Sequence, residues 1–361
     1  MSDRVEATGA ALDAPTDALT DLIAETIDRL ITLDVSGYGI IGELSLAARA
    51  LYGRPPSMLA AERLLAACEG GGTVFITTGW TLPGMFPYGE TDGPVGAALL
   101  ARALGIATAA RTVLLTEPWL VAMVTAACRA AGLNAMSEQD IDAAHQEVHP
   151  RNPHCLVIPL PVDSAQGLLE TERLFAKYAP RAVVAIEKSG PNGKGRYAMV
   201  DGFDNSDSVA KVEHLFARAR SSGVLTIGIG DRGNEVGFAK IAAVPRRVLP
   251  FGEEATNETD VDVLVVASVS NWGASGIAAA MAARLDRPEI LHTSDLEGRV
   301  IEKCVDAGAF DGFSCRPELA VDGMGLPIHT AVTTLLNEIV RAPAARGLSI
   351  FSTPVFKRSA K

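Results

Sequence analysis

Six short aliphatic runs that do not alternate with polar residues restrict this chain to one broad class of fold. Thr73–Thr77, Thr112–Leu115, Cys155–Pro159, Ala182–Ile186, Val224–Ile229 and Val263–Ala267 are apolar at consecutive positions. A strand with one wet face alternates, whereas a strand that is apolar throughout must be covered on both faces. Between these runs lie stretches with helical spacing: Pro94–Leu104, Trp119–Ala131, Ala165–Tyr178, Val209–Ser221, Ala274–Leu285, Leu296–Ala307 and Thr330–Arg341. Strand and helix in alternation predict an α/β fold, a doubly wound, mostly parallel sheet with helices on both faces. With 48% hydrophobic residues in 361, the chain can fill the large core such a sheet needs.

Ahead of the first strand the pattern differs. Leu19, Leu22, Ile23, Ile27, Leu30 and Ile31 give Asp17–Leu33 an amphipathic helical face. A glycine-broken segment, Val35–Gly53, follows, and then a helix over Ser57–Cys68. The expected organisation is a disordered leader (1–15), an N-terminal helical extension (16–68), an α/β catalytic unit (69–345) and a C-terminal tail (346–361). The apolar N-terminal helix can pack on its own domain or on a second subunit, so a homo-oligomer stays open.

A net charge of −11 and a pI near 5.1 argue against general affinity for nucleic acid or an anionic membrane. The five cysteines are scattered and form no CxxC pair, which suits a reducing compartment. No run has the length of a membrane span. The first residues lack the cationic start of a signal peptide, so a cytoplasmic location is expected.

In an open parallel sheet, ligands bind outside the carboxyl ends of the strands. The residues there are polar and rich in glycine: Thr77-Thr78-Gly79 and then Glu90-Thr91-Asp92-Gly93, Glu187-Lys188-Ser189-Gly190, Gly230-Asp231-Arg232-Gly233-Asn234-Glu235, and Ser268-Val269-Ser270-Asn271. Gly228, Gly230 and Gly233 satisfy a GxGxxG pattern, which elsewhere brings bare backbone up to a pyrophosphate. Asp231 and Glu235 would set carboxylates against those phosphates, so no nucleotide cofactor is expected. A divalent cation fits better. Asp92, Glu187, Asp231 and Glu235 are oxygen ligands of the kind Mg²⁺ or Mn²⁺ takes, often with substrate oxygens completing the shell. The bland alternative is that Asp231 caps the next helix and Glu235 complements its dipole. Lys188 is a candidate base or carboxylate clamp, and Lys194 and Arg196 form a basic loop. His145, His149 and His154 are set in a polar, proline-interrupted stretch that suits a metal site poorly. There is no GxSxG nucleophile turn.

Taken together, Thr77-Thr78-Gly79, the run Glu90 to Ala97, Ala185-Ile186-Glu187, the run Gly228 to Gly237, Ser270-Asn271-Trp272-Gly273, Asp311-Gly312 and Val321-Asp322-Gly323 resemble the D-glutamate cyclase family. That resemblance implies a lyase turning D-glutamate into 5-oxo-D-proline and water, acting on a small anionic substrate. Combined with the strand-end reading, the expected catalytic residues are Asp231, Glu235, Glu187 and Lys188, with Thr78, Gly79, Arg232, Asn234, Ser270 and Asn271 around the substrate. Arg232 departs from the family's pattern, in which glycine is common at that position, and could bind a carboxylate or a phosphate in fork geometry. The alternatives are a metal-dependent phosphatase on the same acidic site and a non-catalytic amino-acid-binding protein.

Overall fold

The computed structural model describes residues 17–141 and 153–341. The expected leader and tail, together with His145 and His149, lie outside the described residues.

The strands are β1 (Thr73–Thr78), β2 (Arg111–Thr116), β3 (Asn134–Ala135), β4 (His154–Pro159), β5 (Ala182–Ile186), β6 (Leu225–Gly230) and β7 (Val263–Val266). They form one sheet in the order β3-β4-β2-β1-β5-β6-β7, and every adjacent pair is parallel. A separate hairpin pairs β8 (Ala320–Val321) with β9 (Met324–Gly325). The longer helices are α1 (Asp17–Ile31), α2 (Ile41–Tyr52), α3 (Pro56–Ala67), α4 (Pro94–Thr108), α5 (Val121–Ala130), α6 (Ser164–Tyr178), α7 (Glu213–Ser221), α8 (Ser270–Leu285), α9 (Ser294–Asp306) and α10 (Leu326–Arg341).

The non-alternating strands are explained by two cores, one on each face of the sheet. Val74, Ile76, Leu114, Val184, Ile227 and Val265 pack on one face with α4, α5, α8 and α9. Phe75, Val113, Leu115, Val183, Leu264 and Val266 pack on the other with α6 and α7. Each fully buried aliphatic side chain contributes about 1.5–3 kcal/mol relative to exposure. The doubly wound α/β expectation therefore holds.

Three elements differ from the sequence expectation. Val35–Gly53 is not merely glycine-broken, because α2 occupies its second half. Ile41, Leu44 and Ala48 give that helix a buried face, and Gly53 closes it in a left-handed cap with its N–H on the Arg49 carbonyl. The strand β3 is too short to leave a pattern. Helix α8 begins at Ser270 rather than Ala274, with consequences for the site. The N-terminal helix packs on its own chain: Ile23, Ala24, Ile27 and Ile31 are buried in the first core. Among the described residues, no helix is long and apolar enough to cross a membrane.

From β1 the chain crosses to β2, and from β5 it crosses the other way to β6. The neighbouring carboxyl ends of β1 and β5 thus mark the point where the winding reverses, where a crevice opens.

Candidate active site

Two helix starts meet at that crevice and cap each other. The Asp92 carboxylate accepts from the backbone N–H groups of Ser270 and Asn271, both at 2.9 Å, and so caps α8 from another part of the chain. In return, Asn271 Oδ1 accepts from the N–H groups of Gly93 (2.9 Å) and Gly96 (2.7 Å) at the start of α4, and its Nδ2 donates to the Thr91 carbonyl. Neither helix carries a capping side chain of its own. Gly93 allows the approach: a Cβ there would lie 2.7 Å from Thr78 Oγ1 and 2.8 Å from Glu187 Cβ. This arrangement fixes Asp92 beside the end of β5.

Glu187 follows β5 with φ at 45°, a left-handed conformation that costs a non-glycine residue energy and turns its side chain into the crevice. Its Oε2 accepts from Ser270 Oγ at 2.6 Å. Asp231, at the end of β6, is buried, and neither of its oxygens accepts a hydrogen bond from a described residue. Its ionic contact is Arg232 Nη2, 3.3 Å from Oδ2. Ligand oxygens from Asp92, Glu187 and Asp231 all lie within 4.8 Å of one another.

So many buried carboxylates cannot all be charged without a counter-ion. Burial pushes the Asp92 carboxyl up to about 8, helped by the charge of Asp322 and opposed by the three backbone N–H groups it accepts. Burial also raises Glu187, with Glu235 and Asp92 adding to it. Glu90, another strand-exit carboxylate, rises through burial and the charge of Asp322. Asp231 rises through burial despite Arg232. For Arg232, burial is outweighed by Asp231 and Asp322, which hold the guanidinium firmly protonated.

The other expected site residues are distributed unevenly. The Glu235 carboxylate accepts from the N–H groups of Asp231 (3.2 Å), Arg232 (3.0 Å) and Gly233 (2.7 Å), so it buttresses the turn that presents Asp231. Lys188 is fully buried; its Nζ donates to the Gly79 carbonyl at 2.9 Å and pairs with Glu117. Burial lowers its affinity for a proton, and Glu117 opposes that. Thr78 Oγ1 is buried without a described partner. Asn234 is buried in the same turn, and its carbonyl accepts from Gly190 N–H. Lys194 and Arg196 pair with Glu254 and Asp204.

Three participants had no role assigned from the sequence. Glu117 ends β2 and obeys the same strand-end rule that singled out Glu187. Glu90 stood in view beside Asp92. Asp322 occupies the two-residue turn of the β8–β9 hairpin, where Asp322 and Gly323 both have positive φ, and it binds Arg232 Nη2 at 2.9 Å. Asp-Gly between short apolar runs is a hairpin signal that was legible.

The glycines of the GxGxxG pattern make room for the protein itself. A Cβ on Gly228 would lie 2.0 Å from the Val236 carbonyl oxygen, and one on Gly230 would lie 2.8 Å from Glu235 Cβ.

A family model described as D-glutamate cyclase-like, C-terminal, matches residues 27–337. The mitochondrial D-glutamate cyclase of Homo sapiens is 29% identical over an alignment of 221 residues that covers 58% of this chain and 32% of that protein. The match thus spans about a third of the relative's length.

Proposed function

We propose, from the premise that this chain belongs to the D-glutamate cyclase-like family, that it is a lyase converting D-glutamate to 5-oxo-D-proline and water. The observation that carries this reading is the buried acidic crevice at the winding reversal, where Asp231 accepts no hydrogen bond from a described residue and shares its ionic contact, Arg232, with Asp322. A buried carboxylate left in that condition is costly unless it is protonated or meets a cation. The residues therefore fit a divalent cation. Asp92 and Asp231 would hold it, and when bound it would polarise the substrate γ-carboxylate.

Cyclisation moves protons without a net change. The ammonium nitrogen gives up two as it becomes an amide, and the departing γ-carboxylate oxygen takes two as it leaves as water. One carboxyl near both atoms can serve both transfers if its proton affinity lies near the working pH. Glu187 suits this role. Its Oε2 is anchored by Ser270, its carboxylate lies beside those of Asp92 and Asp231, and its affinity for a proton is raised. The starts of α4 and α8 add positive potential for a bound carboxylate. Lys188 and Glu235 act as positioning residues in this reading, because their polar atoms are engaged by the protein.

The phosphatase alternative draws on Arg232, whose Nη2 is engaged by Asp322 and Asp231 and whose remaining donors suit a carboxylate as well as a phosphate. A screen of both glutamate enantiomers and a phosphoester panel, with Mg²⁺ or Mn²⁺, tests both readings. The expected product is 5-oxoproline from D-glutamate. Phosphate release without 5-oxoproline would replace the lyase reading, and tight D-glutamate binding without turnover would favour a binding protein.

The acid cluster also makes stability depend on pH. Asp92 holds its proton more tightly in the folded protein, up to about 8 against 3.8. Its contribution is therefore complete below about 4 and is lost as pH rises through about 8. Glu90, Glu187 and Asp231 shift in the same direction. Without divalent cation, Tm is expected to fall between pH 5 and pH 8.5, and Mg²⁺ or Mn²⁺ should raise it most at the alkaline end. A Tm unaffected by either variable would rule out a cation at these carboxylates.

A further inference from the structure

Arg232 stands at the mouth of the crevice beside two aromatic rings from opposite ends of the chain. Its guanidinium carbon lies 4.7 Å from the ring centre of Phe313 and 5.7 Å from that of Tyr38. The two rings also touch, with centres 5.3 Å apart.

Each ring is held in place. Tyr38 belongs to the loop between α1 and α2, where the Asp34 carboxylate accepts from the N–H groups of Gly37 (2.9 Å), Tyr38 (3.2 Å) and Gly39, and from Ser36 Oγ. Phe313 belongs to a loop tied to the β8–β9 hairpin through Asp311, whose two oxygens accept from Gly323 N–H and Ser314 N–H, each at 2.8 Å. Both rings remain partly exposed, Tyr38 by 49% and Phe313 by 40%, so they form a rim rather than a core.

The guanidinium is engaged on one side. Nη2 binds Asp322 at 2.9 Å and approaches Asp231 at 3.3 Å. Among the described residues, Nε and Nη1 have no hydrogen-bond or ion-pair partner. The nearby ring faces favour the cation, and the open Nε and Nη1, which lie on different edges of the guanidinium, can each give a charge-assisted hydrogen bond to a carboxylate oxygen. A substrate with two carboxylates entering a crevice of carboxylates needs positive charge at both ends.

We propose that Tyr38, Arg232 and Phe313 form a specificity clamp that holds the substrate α-carboxylate at the mouth while the γ-carboxylate enters the acid cluster. This rests on the glutamate-cyclase reading above. It gives the segment before the sheet a task, because Tyr38 is its contribution to the site.

Glutarate and butyrate test the clamp directly. They differ by one carboxylate and carry no amine to cyclise, so calorimetry on the full chain with Mg²⁺ reads binding without turnover. Glutarate is expected to bind about tenfold more tightly than butyrate, as one charge-assisted contact allows. Arg232→Gln and Tyr38→Ala should each bring that ratio towards one by weakening glutarate alone. Tyr38→Phe should preserve it, since the ring face remains. The clamp is overturned if the native protein does not favour glutarate, or if both variants weaken the two ligands equally. Failure of the lyase reading looks different: the ratio and its response to the variants would persist while D-glutamate gave no 5-oxoproline. Product formation with a ratio of one would discard the clamp alone.

Discussion

Asp231→Asn is expected to lower 5-oxoproline formation by about a thousandfold or more while leaving the protein folded and at least as stable. The two halves of this expectation have one cause. The Asp231 carboxylate is buried, accepts no hydrogen bond from the described residues, and faces Glu187, Asp322 and Glu235. Its ionic contact, Arg232 Nη2 at 3.3 Å, is shared with Asp322 and offsets burial and these charges only in part, so an amide of the same shape relieves the remaining penalty. Its retention is understandable if its charge is used on a bound cation, a stability–activity trade-off. Initial rates and thermal melts on the same preparation would check both halves. An Asn variant with native rates would remove Asp231 from the chemistry.

The largest effect on stability is expected from Gly228→Ala. The new methyl would sit 2.0 Å from the Val236 backbone oxygen, and Gly228 lies inside β6 between β5 and β7, where the backbone has little room to yield. A cost of about 3 kcal/mol or more follows, at the upper end of what overpacking produces. Chemical denaturation would measure it. A change below about 0.5 kcal/mol, the size of an ordinary surface substitution, would contradict the packing described here. The same contact explains the glycine pattern. In a dinucleotide site the glycines admit a ligand, whereas here the first two lie against the returning chain at Val236 and Glu235.

The fold was legible because Val74, Val183 and Leu264 sit in runs with no polar partner positions, and only burial on both faces accounts for that. The acidic positions were legible because carboxylates recur at the ends of β1, β5 and β6. Their division of labour was not. Glu235 and Asp231 look equivalent in sequence, yet one gathers three backbone N–H groups and the other gathers none. The start of α8 was misplaced because its cap, Asp92, lies 178 residues before Ser270. Its first turn is also buried all round, so it has no amphipathic face to read. Lys188 looked like a candidate base, but its partner Glu117 lies on another strand end, 71 residues away. Tyr38 could not be tied to the site at all, since only tertiary packing brings it to Arg232.

The most direct test of the account is to follow 5-oxoproline released from D-glutamate by the full chain, first with Mg²⁺ or Mn²⁺, then after chelation, then after the cation is restored. Product that disappears with chelator and returns with the cation is the predicted result. No product from either enantiomer with either cation, from protein shown to be folded, would contradict it.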